Sequence, residues 1–173
     1  MKVIFLDFDG VLNSQQYFMA RSEKIEEFRL INYNKRTDIP VMLERQMLDI
    51  DLHNLENLIK IIKKTHAKVV VTSSWKVLTI FPLLAERLGH LGVPIIGVTD
   101  DDGINRGLGI KTFLETHDIN NYIILDDDIF PDYDDELLEH LIKTSFYENG
   151  LTKELMLEAI DKLKDKKILI KKR

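Results

Sequence analysis

The chain has 173 residues, 45% of them apolar and 31% charged, which is enough for one folded unit with a real core. A net charge of −5 argues against a surface built as a whole to grip nucleic acid, and the lack of cysteine excludes disulfides and thiolate chemistry. The N-terminal apolar run stops at Asp7, too short for a signal peptide or a membrane span, so a cytoplasmic protein without membrane attachment is expected.

Val3, Ile4, Phe5 and Leu6 form a continuous apolar run, the pattern of a strand buried on both faces. Similar runs follow in AKVVVTSSW, VPIIGVTD and NNYIILDDD. Helical periods alternate with them. In DLHNLENLIKIIKK, Leu52, Leu55, Leu58, Ile59 and Ile62 recur at three- and four-residue steps behind a plausible N-cap, Asp51. LTIFPLLAERLGHLG predicts a helix capped by Thr79, with Pro82 in its first turn and Gly89 or Gly92 as its stop. GLGIKTFLETH and TKELMLEAIDKLK add two more. Strands alternating with helices imply crossover connections and a parallel sheet covered on both faces. The expected fold is therefore α/β: three α/β/α layers around a mainly parallel, Rossmann-like sheet, one domain over residues 1–173.

Residues 14–48 break that rhythm. The stretch is polar and lacks a clean strand, and it predicts a small cap inserted over the sheet's carboxyl edge, with one helix around 23–31 and a loop containing Pro40.

Three of the apolar runs end in polar clusters: DFDG, TSSWK and DDD. In a parallel α/β sheet the carboxyl ends of the strands share one edge, where ligands bind. Asp7, Asp9, Thr72, Ser73, Asp126 and Asp127 therefore have a route to one place despite their separation in sequence. Carboxylates gathered on oxygen-rich strand ends suit a hard divalent cation such as Mg²⁺. Taken singly, each cluster has a plainer explanation: a solvated loop, a turn or a helix cap. TDDDG at 99–103 is one such loop, lacking the alternate spacing of an EF-hand. The five histidines lack zinc-ligand spacing, and Trp75 reads as a packing residue at a strand–helix corner.

The order of these clusters resembles the haloacid dehalogenase (HAD) superfamily of phosphotransferases. FLDFDGVLN is similar to its first motif, VVVTSS to its second and ILDDD to its fourth. The third motif is a basic residue at a helix start; Arg106 in NRGLGIKTFLE stands there, with Lys111 one turn later as the alternative. SSWK, the Arg-Gly helix, LDDD and KTSFYENGLT together resemble a smaller branch that includes the phosphatase domains of RNA-repair proteins. The resemblance implies that Asp7 attacks phosphorus and that Asp9 is the general acid and base. It implies that Thr72 or Ser73 binds a phosphoryl oxygen and that Arg106 or Lys111 neutralises charge. Mg²⁺ is then held at Asp7, Asp9, Asp126 and Asp127.

A receiver-like phospho-aspartate module is the rival from another class. Receivers carry their acidic pair after the first strand and the phosphorylated Asp on a middle strand; here the first strand carries Asp-x-Asp and the acidic cluster comes late. The short insertion leaves an open site suited to a phosphate on a nucleotide or nucleic-acid end, with a sugar phosphate as the alternative. Lys35, Arg36, Lys76 and the basic C-terminal tail are the candidate phosphate-backbone contacts.

Overall fold

In the computed structural model, which describes residues 1–101 and 104–164, the apolar runs form a five-stranded sheet. The strands are β1 (Lys2–Leu6), β2 (Lys68–Val71), β3 (Ile95–Val98), β4 (Asn121–Asp126) and β5 (Leu141–Lys143). Their order is β3-β2-β1-β4-β5 and every pairing is parallel. The helices are α1 (Gln15–Ala20), α2 (Ser22–Ile31), α3 (Ile39–Met47), α4 (Leu52–Thr65), α5 (Phe81–His90), α6 (Arg106–Thr116), α7 (Asp135–His140) and α8 (Lys153–Leu163).

Alternation along the strands builds the layers. Ile4, Leu6, Val69, Val71, Ile123 and Leu125 face one side, where they meet Leu58 of α4, Leu84 of α5 and Leu163 of α8. Val3, Phe5, Val70, Tyr122 and Ile124 face the other, against Ile110 of α6 and Leu137 of α7. Each fully buried Leu, Ile or Val among them contributes about 1.5–3 kcal/mol relative to exposure. The chain runs outward from β1 to β3 and then crosses back to β4, so the strand order reverses beside β1. That reversal opens a crevice at the carboxyl ends of β1 and β4. No helix among the described residues is long and apolar enough to cross a membrane.

Several local expectations change. Pro40 does not sit in a loop: it occupies the first turn of α3, where a missing N–H costs nothing, and the insertion carries three helices rather than one. Asp51 does cap α4, accepting from the His53 amide at 2.9 Å, but Leu52 projects into solvent. Thr79 is not the cap of α5. The Phe81 amide donates to the Leu78 carbonyl at 2.9 Å, which folds Thr79 into a turn before the helix starts. β3 is an edge strand, with Ile96 and Val98 exposed rather than covered on both faces. β5 and α7 had no periodic signature, being three and six residues long.

The buried stripe of α4 includes two amides that apolar spacing does not reveal. Asn54 Nδ2 donates to the carbonyls of Val11 (3.1 Å) and Asn149 (3.0 Å), and Asn57 Nδ2 donates to Leu151 O (3.0 Å). These bonds fasten the loop after β1 to the loop before α8. Asn54→Ala leaves the Asn149 carbonyl without this donor, a loss of about 1–3 kcal/mol. The urea midpoint should fall at constant slope; an unmoved midpoint would mean that water replaces the amide.

Candidate active site

The backbone ladder continues past the strand ends and lines up the polar residues. Asp7 N donates to Leu125 O at 2.9 Å, Thr72 N to Leu6 O at 2.9 Å, and Thr144 N to Asp126 O at 2.9 Å. Asp7 therefore stands between Thr72 and Asp126 at the switch point. Carboxylate oxygens of Asp7, Asp126 and Asp127 all lie within 4.8 Å of one another. Gly10, at φ +71°, turns the chain away immediately after Asp9, and a Cβ there would overlap the Asp127 carboxylate. The close approach of β1 and β4 loops requires this glycine.

Arg106, the first residue of α6, enters the same cluster. Its Nη1 donates to Asp126 Oδ2 at 2.6 Å and lies 3.5 Å from Asp7 Oδ1, with the guanidinium 4.2 Å over the Phe130 ring. A Cβ on Gly107 would come within 2.7 Å of the Asp132 carbonyl, so the glycine lets the helix start press against that loop. Burial opposes the charge on Arg106, but Asp126 and then Asp7 outweigh it and raise its pKa. Lys111 lies elsewhere: its Nζ pairs with Asp134 Oδ2 at 2.5 Å on the exposed side of the helix. Asp134 also caps α7, so part of the acidic run at 126–136 has a structural use.

Burial raises Asp7 from 3.8 to about 6, and Asp126 adds to the shift, while Arg106, the Ser73 hydroxyl and the Phe8 amide pull it back. Asp126 is raised by burial against the pull of Arg106, and Asp127 by burial and then by Asp7. Lys143 stands at the rim, its Nζ donating to the Asp127 carbonyl at 2.9 Å. Ser73 bonds Asp7 and accepts from Trp75 N at 3.4 Å, whereas the buried Thr72 hydroxyl has no hydrogen-bond partner among the described residues. Arg106 Nε is also buried without a partner among those residues.

Asp9 is exposed, and its carboxylate lies outside the three-carboxylate cluster. Trp75 Nε1 donates to its Oδ2 at 3.0 Å and Asn13 Nδ2 to its Oδ1 at 2.9 Å; Asn13 Oδ1 in turn accepts from Gly10 N at 2.9 Å. Trp75 packs edge-on against Phe8 with ring centres 5.0 Å apart, so it is a packing residue that also orients a carboxylate. The sequence signal for that second role was its position two residues beyond Ser73, beside a motif. Asn13, four residues after Asp9, carried a similar signal.

Lys76 is no phosphate-backbone contact. Its side chain is 9% exposed and its Nζ donates to Asp101 Oδ2 (2.7 Å), Thr99 O (2.9 Å) and Thr99 Oγ1 (3.2 Å). This buried pair ties the turn after β2 to the loop that leads into α6. Of the acidic stretch at 99–103, residues 102–103 lie outside the described residues, as does the tail at 165–173.

An acidic cluster of this kind, with a hydroxyl and a guanidinium beside it, can hold a cation, bind an anion next to that cation and present one carboxylate to it. No curated protein matches the chain, and no solved structure does. A family model described as the HAD domain in Swiss Army Knife RNA repair proteins matches residues 3–156, a span that contains Asp7, Arg106, Asp126 and Asp127. Motif order, parallel three-layer fold and match agree, and the chain belongs to this family of HAD domains.

Proposed function

We propose that the protein is a Mg²⁺-dependent phosphomonoester hydrolase that works through an aspartyl-phosphate and acts on nucleotide or nucleic-acid ends in the cytoplasm. The observation that carries this reading is the trio Asp7, Asp126 and Asp127 beside a buried Thr72 hydroxyl that has no partner among the described residues. The donor set fits a hard cation: it is all oxygen, and one guanidinium and a rim lysine face three carboxylates. Asp7, Asp126 and Asp127 would hold the ion, which supplies positive charge for the carboxylates and the phosphoryl group.

Asp7 attacks phosphorus, the ester P–O bond breaks, and Asp9 protonates the departing oxygen. Water then attacks the phosphorus of the acyl phosphate and gives its proton to Asp9, which releases phosphate and frees Asp7. Thr72 Oγ1 and Arg106 Nε, which lack partners among the described residues, donate to equatorial oxygens, and Ser73 orients Asp7. Trp75 and Asn13 hold the Asp9 carboxylate in one orientation, which a residue exchanging a proton twice per turnover needs. Helices α1–α3 act as a small cap that leaves the crevice open to a large substrate. The family's RNA-repair setting supports a nucleic-acid end over a free sugar phosphate. The β3-β2-β1-β4-β5 order differs from the 2-1-3-4-5 order of flavodoxin-like receivers, which disfavours the phospho-acceptor module.

The direct test is hydrolysis of an aryl phosphate. Turnover should need Mg²⁺, stop in EDTA and return when the ion is restored; turnover that persists in chelator would overturn the proposal.

Asp7→Asn should abolish turnover and raise the stability of the metal-free protein. Because burial lifts the folded pKa of Asp7 to about 6, above its ordinary value of 3.8, the folded state holds this proton more tightly. The cost of ionising it is absent below about pH 4 and complete above about pH 6. Urea melts in chelator should therefore show the variant about 1–3 kcal/mol more stable near pH 7 and little different near pH 4. Retained turnover would remove Asp7 as the nucleophile, and equal stability near pH 7 would mean that its charge is compensated without metal.

A further inference from the structure

A second recess, about 650 Å³ in volume, lies between the insertion and the chain leading into α5. Phe28 of α2, Tyr33, Met42 of α3 and Val77 give it an apolar wall, and Arg29, Arg36 and Arg45 enter it. No acidic side chain among the described residues lines it, although the chain as a whole carries a net charge of −5. Arg29 pairs with Glu26 at 3.1 Å and Arg45 with Asp49 at 2.7 Å. Arg36 is exposed and has no carboxylate partner among the described residues; its guanidinium lies 5.8 Å from the centre of the Tyr33 ring. Tyr33 and Val77 are 68% and 79% exposed and line the same recess, so its apolar wall is open to solvent and bordered by guanidiniums, the composition of an interaction site.

The recess is joined to the carboxylate cluster through one short turn. Ser73 bonds Asp7, Trp75 bonds Asp9, and Val77 at the end of the same 3₁₀ turn lines the recess. Lys76, inside that turn, is pinned to Asp101 and Thr99, so the connection is rigid.

We infer that this recess binds the nucleotides next to the terminal phosphate of a single-stranded nucleic acid. Resting on the hydrolase reading above, this assigns the surface that selects its substrate. An aromatic and aliphatic wall accepts bases of any sequence by stacking, and guanidiniums at its mouth hold the flanking phosphates. The volume falls in the range of small-molecule sites, enough for a nucleotide. Charge complementarity favours a polyanion over a protein helix or a second copy of the chain, either of which the apolar wall alone would suit.

The test uses the full chain and short fluorescent RNA and DNA strands bearing a 3′- or 5′-phosphate, with binding followed by anisotropy in EDTA so that no turnover occurs. Arg36→Glu and Tyr33→Ala should each weaken binding of the preferred strand at least about tenfold, and Arg36→Glu should flatten its salt dependence. Lys153→Glu, on α8 away from the recess, should leave affinity unchanged, and the melting temperatures of both recess variants should match the wild type. Equal loss from Lys153→Glu would mean diffuse charge rather than a site, and wild-type affinity in both recess variants would overturn the proposal. So would a self-association broken by Tyr33→Ala without an effect on strand binding. An inert protein that still binds strands through Arg36 would sink the hydrolase reading alone; an active one that binds no strand would sink the recess alone.

Discussion

Three carboxylates within 4.8 Å of one another at the edge of a buried sheet repel, and burial removes the water that would screen them. Arg106 relieves part of this, bonded to Asp126 and close to Asp7, and its own position is bought by Gly107 and the Phe130 ring. The remaining excess of negative charge lifts Asp7 well out of the ordinary carboxylate range. A divalent cation would turn that strain into binding energy, because it is the one addition that lowers the energy of all three anions together. Much of the surrounding architecture serves to keep the cluster tight: Gly10 against Asp127, the ladder bond from Asp7 to Leu125, the buried Ser73 hydroxyl.

Asp9 obeys a different logic. It is exposed, outside the repelling trio, and gripped by an indole and an amide. Two aspartates one residue apart thus occupy unlike environments, one desolvated and one solvated. That division suits one carboxylate for attack on phosphorus and the other for moving protons. The same 3₁₀ turn that supplies the indole also leads to the arginine-lined recess, so the chemistry and the surface for a larger substrate share one rigid support.

The sheet and the polar strand ends were legible in the sequence because a buried parallel strand writes itself as an apolar run and its end as an abrupt polar cluster. Residues 3–7, 69–72 and 122–127 all carry that signature. β5 did not, since it is three residues long with Ile142 its one buried side chain. The insertion was misread at Pro40, where a residue that ends helices also begins them well. Lys76 looked like a surface cation and proved to be a buried tether, because its partner Asp101 is 25 residues away and no local pattern links them. Arg106 and Lys111 could not be separated by spacing; their pairs with Asp126 and Asp134, distant in sequence, put them in different surroundings.

The most direct measurement is to look for the phosphoryl group on Asp7. With Asp9→Asn, Mg²⁺ and an aryl phosphate as good leaving group, acid quenching followed by peptide mass spectrometry should find a phosphoryl adduct on Asp7 that decays slowly. Substrate consumed with no adduct on Asp7, or an adduct on another residue, would contradict the assignment of this carboxylate as the nucleophile.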